Sequence, residues 1–452
     1  MQTAQSKPNR PSLTEGPIAK TLFIFSLPIL LGNVLQTLNG SINAIWVGKL
    51  LGETALAATS NANILMFFLI SLIFGISMAA VILIGQHLGA KREADAKKVV
   101  GTSVTFFTVL SVITGALGML FSPLILRLLD TPPDAMEMAI SYTQIIFAGV
   151  PFMFGFNLIM AVLRGSGDSK TPFYFLLLSA VLDVGLNPLL ILGIGPFPRM
   201  GIAGSATAAL IAQSISLVLL IVYLYMKRYF LRLTRNDLHL LRLDWPIVGI
   251  MLRKGVPMGL NMVIVSLSNL LLIALVNAYG SKATAAFGAA IQISNYVQMP
   301  ALAVGGAVTS MAAQNIGAGL WNRVSRITWT GVGFNILLTG ALVAVIHLFN
   351  RETLGLFLPA EGDAIAIGIH INNVTLWSFI IFGIFNVMGG VVRSSGAVMV
   401  PLIITFIALM IFRIPLAAVF GNLYGFNAMW WSFRSEERRV GKECRSRWSP
   451  YH

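Results

Sequence analysis

Apolar runs long enough to cross a membrane recur along the whole chain, and they limit its possible folds more than any other feature. The hydrocarbon core of a bilayer requires about 20 consecutive apolar residues in a helix. Only 11% of the 452 residues are charged, against about 25% in a soluble domain. The pattern therefore predicts an all-α, polytopic membrane protein. We place eleven full spans near residues 19–47, 57–85, 99–126, 138–163, 172–194, 201–226, 247–278, 284–313, 325–349, 366–391 and 400–421.

Basic residues alternate in phase with these spans. They lie in the N-terminal arm and in the second, fourth, sixth and eighth loops, at positions that include Lys7, Arg10, Lys91, Arg92, Lys170, Lys227, Arg228, Arg323 and Arg326. Two odd-numbered loops, LDTPPDAMEM and LPAEGDA, are acidic. Because cytoplasmic loops are enriched in Lys and Arg, we expect a cytoplasmic N-terminus in a bacterial-type inner membrane. The net charge of +14 then reflects topology, and we expect the lipid bilayer rather than nucleic acid as a partner.

An internal repeat relates the two halves of the chain. SLPILLGNVLQ around Pro28 resembles GVPMGLNMVIV around Pro257, and GQHLGAK resembles AQNIGAG. In the matching segments FGFNLIMAVLRGSGDSKTP and FGIFNVMGGVVRSSGAVMVP, equivalent residues lie about 229 positions apart. These pairs are Asn157 and Asn386, Arg164 and Arg393, Gly167 and Gly396, and Pro172 and Pro401. The offset predicts a duplication.

The repeat predicts the domain organisation. Six spans per repeat return the chain to the same side, so we expect two parallel six-helix lobes with a cavity between them, an arrangement suited to alternating access. The predicted parts are an N-terminal arm (1–18), an N-lobe (19–226), a cytoplasmic linker (227–246) and a C-lobe (247–433).

The final stretch, RSEERRVGKECRSRWSPYH (434–452), interrupts this repeat. The counterpart of the sixth span begins GFNAMWWSF and breaks at Arg434, so 425–433 is a fragment of a twelfth span. The stretch holds the single cysteine, Cys444, and resembles the translation of a common short-read sequencing adapter. We therefore expect a truncated C-lobe with a non-native tail. Without its six basic and three acidic residues, the net charge of +14 becomes +11.

Several motifs, taken in order, resemble the MATE (multidrug and toxin extrusion) family of transporters. They are the LP near the start of the first span, NAIWVGKLLGETALAA, GQHLGAK, VLRGSGDSKTP, and LDVGLNPLLILG followed by GIAGSATAA. The resemblance covers about residues 15–433. It implies two six-helix lobes in a V shape, and export of organic, often cationic, amphipathic compounds driven by inward flow of H⁺ or Na⁺.

The chain departs from the family pattern at the positions linked to ion coupling. Members often carry an aspartate where this chain has Asn43, and an Asn followed four residues later by Asp-Pro, where this chain has Asp183, then Asn187 before Pro188. The acidic residues that some members use in the seventh span are absent. That span offers Asn261, Asn269 and Asn277.

Asp183 is the one acidic residue well inside an apolar span. A charge at the bilayer centre costs about 2.5–3.5 kcal/mol on insertion scales, so an intramembrane carboxyl is by default a functional candidate. Because burial disfavours the ionised form, Asp183 can take up a proton from one side and release it to the other. We predict a cation-coupling site formed by Asp183, Asn187 and Asn43. The alternative is a protonated structural residue, hydrogen-bonded to Asn43 or Ser179.

Other polar residues in the spans are candidates for the substrate cavity. Gln36, Asn39 and Asn43 share one helix face because they are spaced by three and four residues. The proposed cavity set is Gln36, Asn39, Asn157, Asn261, Gln292 and Asn386. The competing role is hydrogen bonding between helices for the first-span residues and packing for Gln292. For Asn157 and Asn386 the repeat favours a structural role at equivalent helix bends.

Signals for catalysis are missing from the sequence. It contains no phosphate-binding GxxxxGK[ST] motif, and its five His residues show no metal-ligand spacing. We expect no enzyme activity, no metal and no cofactor other than a coupling ion. The predicted function is a monomeric secondary antiporter that exports small organic compounds, with H⁺ favoured over Na⁺. A lipid-linked sugar flippase and a membrane-embedded lipid-transferring enzyme are the competing classes.

Overall fold

The computed structural model describes residues 12–129, 131–358, 363–424 and 429–430, and every regular element in these ranges is helical. The acidic residues Asp130 and Glu361, most of the twelfth-span fragment and the whole of 434–452 lie outside the described residues. The expectations about truncation and a non-native tail therefore remain predictions.

The first six predicted spans are six long helices. They are α1 (Ile18–Leu51), α2 (Glu53–Gly89), α3 (Glu93–Leu128), α4 (Pro133–Gly165), α5 (Lys170–Leu192) and α6 (Ile202–Met226). Glycines at the ends of α1 and α5, Gly52 and Gly193, have positive φ angles, which end a helix without the steric penalty of a Cβ.

The later spans are more broken. They form α7 (Trp245–Asn277), α8 (Ser281–Val297), α9 (Met299–Gly317), α10 (Trp321–Leu348), α11 (Asn350–Gly355), α12 (Asp363–Thr375), α13 (Ser378–Ser395), α14 (Met399–Phe406), a π-helix (Ile407–Arg413) and α15 (Ile414–Tyr424). A 3-10 helix (Arg235–Leu241) precedes α7.

The prediction of eleven uninterrupted spans is wrong in two places. The eighth span is divided into α8 and α9 at Gln298, just before Pro300, because a proline removes one backbone donor and crowds the preceding turn. The tenth span is divided into α12 and α13 after Thr375, where the Thr375 and Ser378 hydroxyls donate to backbone carbonyls, a pattern that bends helices. In the described residues, ten helices are long and apolar enough to cross a membrane.

The described residues form two compact units. The first comprises those of Met1–Gly255 and Ala313–Trp321, and the second those of Val256–Ala312 and Asn322–His452. The core of the first unit contains Ile84, Phe107 and Phe154, while Trp430 is buried in the core of the second unit against Phe287.

Within the first unit, α2 and the end of α9 approach so closely that side chains would not fit. A Cβ at Gly89 would lie 1.8 Å from the Gln314 carbonyl oxygen, and one at Gly317 would lie 2.0 Å from that of Gln86. Glycine at both repeat-related positions therefore permits backbone contact. The Gln314 side chain accepts a hydrogen bond from the Leu13 N–H (3.2 Å) and donates to the Gly165 carbonyl (2.9 Å).

Candidate functional site

Helices α1 and α5 of the first unit contact each other through pairs of residues with a constant separation in sequence. Asn39 bonds to Asp183, and Asn43 bonds to Asn187, and each pair is 144 residues apart. Residues spaced by four lie on one helix face, so Asn39 and Asn43 present two amides to the two polar residues of α5. The apolar stretch FYFLLLSAVLDVGLNPLLIL makes α5 a spanning helix in which these two residues are exceptional.

These four residues, Asn39, Asn43, Asp183 and Asn187, form the Asp183 cluster. The Nδ2 atoms of Asn39 and Asn43 both donate to Asp183 Oδ2, at 2.7 Å each. Asn187 Nδ2 donates to Asn43 Oδ1 at 2.9 Å. The two amide donors therefore fix the orientation of the carboxyl.

Three oxygens of the Asp183 cluster have no hydrogen-bond partner among the described residues. They are Oδ1 of Asn39, Asp183 and Asn187, and all three atoms are buried. Asp183 is 4% exposed and Asn187 is 0% exposed. Unpaired buried polar atoms are uncommon and require an explanation. Carboxylate and carbonyl oxygens are acceptors for a proton donor and ligands for a hard cation, so this arrangement can hold either.

Pro188 leaves one backbone carbonyl of α5 without its helical donor. Helix α5 continues through Pro188 to Leu192, but proline has no N–H to give to the carbonyl four residues earlier. The Val184 carbonyl, next to Asp183 in the chain, therefore lacks its usual helical donor. The sequence indicated a locally weakened helix here, and the structure shows an unbroken helix with one backbone acceptor released.

Both hydrogen-bond donors to Asp183 come from α1. The hydrogen bond from Asn43 that the sequence suggested is present, while the second donor is Asn39 of α1 and not Ser179. Asn39, which the sequence assigned to the substrate cavity, thus belongs to the Asp183 cluster. Tyr142 of α4 also lies close enough to Asp183 to interact with it electrostatically. No motif marked Tyr142 in the sequence, since a tyrosine in an apolar span is ordinary.

The other cavity candidates of the first unit do not join the Asp183 cluster. Gln36 lies one turn from Asn39 on α1 and is exposed. Asn157 donates through Nδ2 to the Met153 carbonyl one turn earlier in α4 (2.9 Å). This bond supports the structural role that the repeat favoured for Asn157.

In the second unit, the candidates are spread over three helices. Asn261 of α7 donates to Thr405 Oγ1 (3.0 Å) and to the Pro401 carbonyl (3.4 Å) of α14. Asn386 Oδ1 lies against Gly305, where an added Cβ would be 2.6 Å away. Gln292 of α8 is exposed. Asn261 and Asn386 therefore contact neighbouring helices, and Gln292 remains available to a ligand.

The spanning helices and the carboxyl buried inside one of them define a multi-pass membrane protein of the transporter class. The family model MatE matches the chain twice, over residues 28–189 and 257–419. The chain therefore belongs to the MATE family. The two matches begin 229 residues apart, and the second is one residue longer than the first. This confirms the predicted duplication and its offset.

Individual proteins of known sequence or structure are similar over almost the whole chain. The "Probable multidrug resistance protein YoeA" of Bacillus subtilis (strain 168) is 38% identical over 422 residues, which cover 93% of this chain and 91% of the relative. YpnP of the same organism, also named a probable multidrug resistance protein, is 34% identical over 91% of this chain and 90% of its own. A solved outward-facing multidrug resistance MATE transporter of the MOP superfamily aligns with a TM-score of 0.90 at 21% identity, over 98% of both chains. This last likeness confirms the predicted fold.

Proposed function

We propose that this chain is an ion-coupled antiporter that exports small organic compounds, and that the Asp183 cluster binds the coupling ion. The single observation that supports this role is a buried carboxyl whose Oδ1 atom is left unpaired beside two unpaired amide oxygens. A purely structural aspartate would be expected to have both oxygens satisfied. Relatives named for multidrug resistance support organic compounds as the cargo.

A proton is the coupling ion that we favour. Two amides donate to Oδ2 alone, so a proton can bind Oδ1 without breaking either bond. Burial disfavours the ionised carboxylate and the amide donors favour it. Opposing effects of this kind suit a group that must both load and release a proton. No cofactor beyond the ion is required in this scheme.

Na⁺ is the second candidate, and the unpaired oxygens are the observation that favours it. Oδ1 of Asn39, Asp183 and Asn187 would supply oxygen ligands of the kind that hard cations prefer. The same residues would then hold Na⁺ and not a proton.

We further propose a monomer in the inner membrane with its N-terminus in the cytoplasm, as the alternation of loop charges indicates. Gln36, Asn157, Asn261, Gln292 and Asn386 remain the candidates for contact with small cationic or amphipathic substrates.

The test is efflux of a fluorescent cationic dye, ethidium, from proteoliposomes that contain the full-length chain. One set of vesicles carries a pH gradient at equal Na⁺ concentrations, and the other a Na⁺ gradient at equal pH. We expect the pH gradient to drive efflux. Efflux driven by Na⁺ alone would select the second candidate, and efflux that proceeds equally without either gradient would reject ion coupling.

A further inference from the structure

The segment that joins α6 to α7 is firmly attached to α3. Its Leu231 is 3% exposed, and Tyr229 shares a hydrogen bond with Ser166 (2.6 Å). Thr105 Oγ1 of α3 donates to the Leu241 carbonyl (2.6 Å). A Cβ at Gly101 of α3 would lie 2.4 Å from the Leu240 carbonyl oxygen. The segment is therefore packed as an integral part of the first unit.

Both carboxylates of this segment are neutralised by α3. Lys97 Nζ lies 3.3 Å from Asp237 Oδ2, and Lys98 Nζ lies 2.5 Å from Asp244 Oδ2. The backbone N–H and hydroxyl of Thr234 lower the pKa of Asp237 to about 2. The Lys98 hydrogen bond lowers the pKa of Asp244. Both groups are thus ionised at neutral pH, and their charge is directed toward α3.

The exposed side chains of the segment include cations and large apolar groups. Arg235 and Arg242, at the ends of the 3-10 helix, are exposed. Leu238 between them is 61% exposed, and Trp245, the first residue of α7, is 72% exposed. We call Arg235, Leu238, Arg242 and Trp245 the linker face. It presents two cations and two large apolar side chains without a carboxylate.

We propose that the linker face binds the phosphate headgroups of anionic lipids. Arginine pairs with phosphate through two parallel N–H donors. Tryptophan is enriched at the membrane–water interface, where its ring meets the headgroups. A short apolar ridge flanked by cations is the pattern of an interfacial segment that binds anionic membranes.

Chain connectivity favours a lipid over a soluble partner. The segment leaves α6 at Met226 and enters α7 at Trp245, and both helices are long and apolar enough to span a membrane. The segment therefore joins two spanning helices on one side of the membrane, which keeps the linker face near the membrane surface. This inference does not depend on the transported substrate or on the coupling ion.

The first test compares lipid retention by native mass spectrometry after extraction from vesicles of equal phosphatidylglycerol and phosphatidylcholine content. The double variant Arg235→Gln/Arg242→Gln should lose its preference for phosphatidylglycerol by about fivefold per arginine, the factor that corresponds to about 1 kcal/mol per basic residue near an anionic surface. The matched control is Lys49→Gln/Arg199→Gln, which removes two exposed cations, one in the last turn of α1 and one in the loop after α5. An unchanged preference in the first variant, or an equal loss in the control, would overturn the proposal.

A second measurement covers the case in which the arginine variant folds poorly. A nitroxide is attached at Leu238→Cys in a Cys444→Ser background, which leaves one cysteine in the chain. In phosphatidylglycerol vesicles the label should be more accessible to oxygen than to a polar nickel reagent, and 1 M salt should weaken this difference. A label fully accessible to the nickel reagent would show a face open to water, as a soluble partner would require, and would reject lipid docking.

Discussion

The helix pairs α1–α5 and α7–α14 are equivalent in the repeat, yet their polar contacts lie at different positions along the helices. Asn39 meets Asp183, and Asn261 meets Thr405, and each pair is separated by 144 residues. The packing register is therefore the same in both halves. The offset of 229 places Asn261 over Gly32 and Asn39 over Ser268, so the two polar contacts are seven residues apart, or about 10 Å along a helix.

The chemistry of the two contacts also differs. Where the second unit has Asn261 and Thr405, the first has Gly32 packed against Leu176, with a Cβ at position 32 only 3.2 Å from Leu176 Cδ1. The Asn261 contact is neutral, and its amide has two acceptors. The Asp183 cluster contains an ionisable group and leaves three oxygens unpaired. Duplication therefore preserved the packing register, while the buried carboxyl lies at the α1–α5 contact and has no acidic counterpart at the α7–α14 contact.

Helix geometry diverges at the same place. Helix α5 is a regular α-helix through Asp183, whereas Ile407–Arg413 in the second unit is a π-helix. A π-helical turn accommodates more residues than an α-helical one, in agreement with the one-residue difference between the repeats. At this point the second half carries Phe412 and Arg413, so the carboxyl has no acidic equivalent.

The largest predicted effect is the loss of transport in Asp183→Asn. The substitution keeps the shape of the side chain and removes the carboxyl that we propose binds the ion. We expect drug resistance and dye efflux to fall to the level of cells without the protein, with unchanged abundance in the membrane by immunoblot. The control Glu137→Gln, an exposed acid at the start of α4, should retain wild-type efflux. Full activity of Asp183→Asn would contradict the proposal that the first half binds the coupling ion through Asp183.

Asn39→Ala should have the next largest effect. It removes one of two short amide bonds to Asp183 Oδ2, and a hydrogen bond to a charged group contributes about 1.5–3 kcal/mol. We expect the efflux rate in proteoliposomes to decrease by about tenfold or more. The neighbouring substitution Ser41→Ala, whose hydroxyl donates only to the Thr37 carbonyl of the same helix in the described structure, should change the efflux rate by less than about twofold. Equal effects of the two substitutions would argue against a defined cluster.

Removing the Asn261–Thr405 contact of the second unit should lower stability and leave ion coupling unchanged. Asn261→Ala and Thr405→Val each remove the hydrogen bond between α7 and α14, and interhelical bonds in membranes contribute about 0.6 kcal/mol on average. We expect a small decrease in thermal stability, measured by unfolding of the purified protein in detergent. The pH dependence of efflux should be unchanged. A shift of that dependence in either variant would place ion chemistry in both halves.

The smallest effect concerns the linker carboxylates. The pKa of Asp237 is lowered to about 2, so the ion pair with Lys97 is complete above the ordinary aspartate range and is lost only as the pH falls from about 4 toward 2. Asp237→Asn should therefore leave the pH profile of efflux between pH 5 and 8 unchanged. A profile altered by this variant would show that a group outside the Asp183 cluster sets the pH dependence.

Sequence patterns were sufficient to predict most of the spanning helices and the repeat. They were insufficient to predict which residues contact Asp183. Apolar runs and loop charges depend on local composition, so α1–α7 and α10 were predictable. The spacing of Gln36, Asn39 and Asn43 placed all three on one face but did not show which of them reach Asp183, because that depends on the α1–α5 register. The break after Thr375 was likewise missed, since hydroxyl-to-backbone bonds leave no hydropathy signal. The contact of Gln314 with Leu13 joins residues 301 apart, which no local pattern encodes.

The proposal that Asp183 carries the coupling ion, and that the Asn261–Thr405 contact of the second half does not, can be tested by measuring proton movement on substrate addition. Proteoliposomes that enclose a pH-sensitive dye receive ethidium on one side, and the internal pH is followed for wild type, Asp183→Asn and Thr405→Val. We expect a substrate-dependent pH change in wild type and in Thr405→Val, and none in Asp183→Asn. A substrate-dependent pH change of normal size in Asp183→Asn would contradict the proposal.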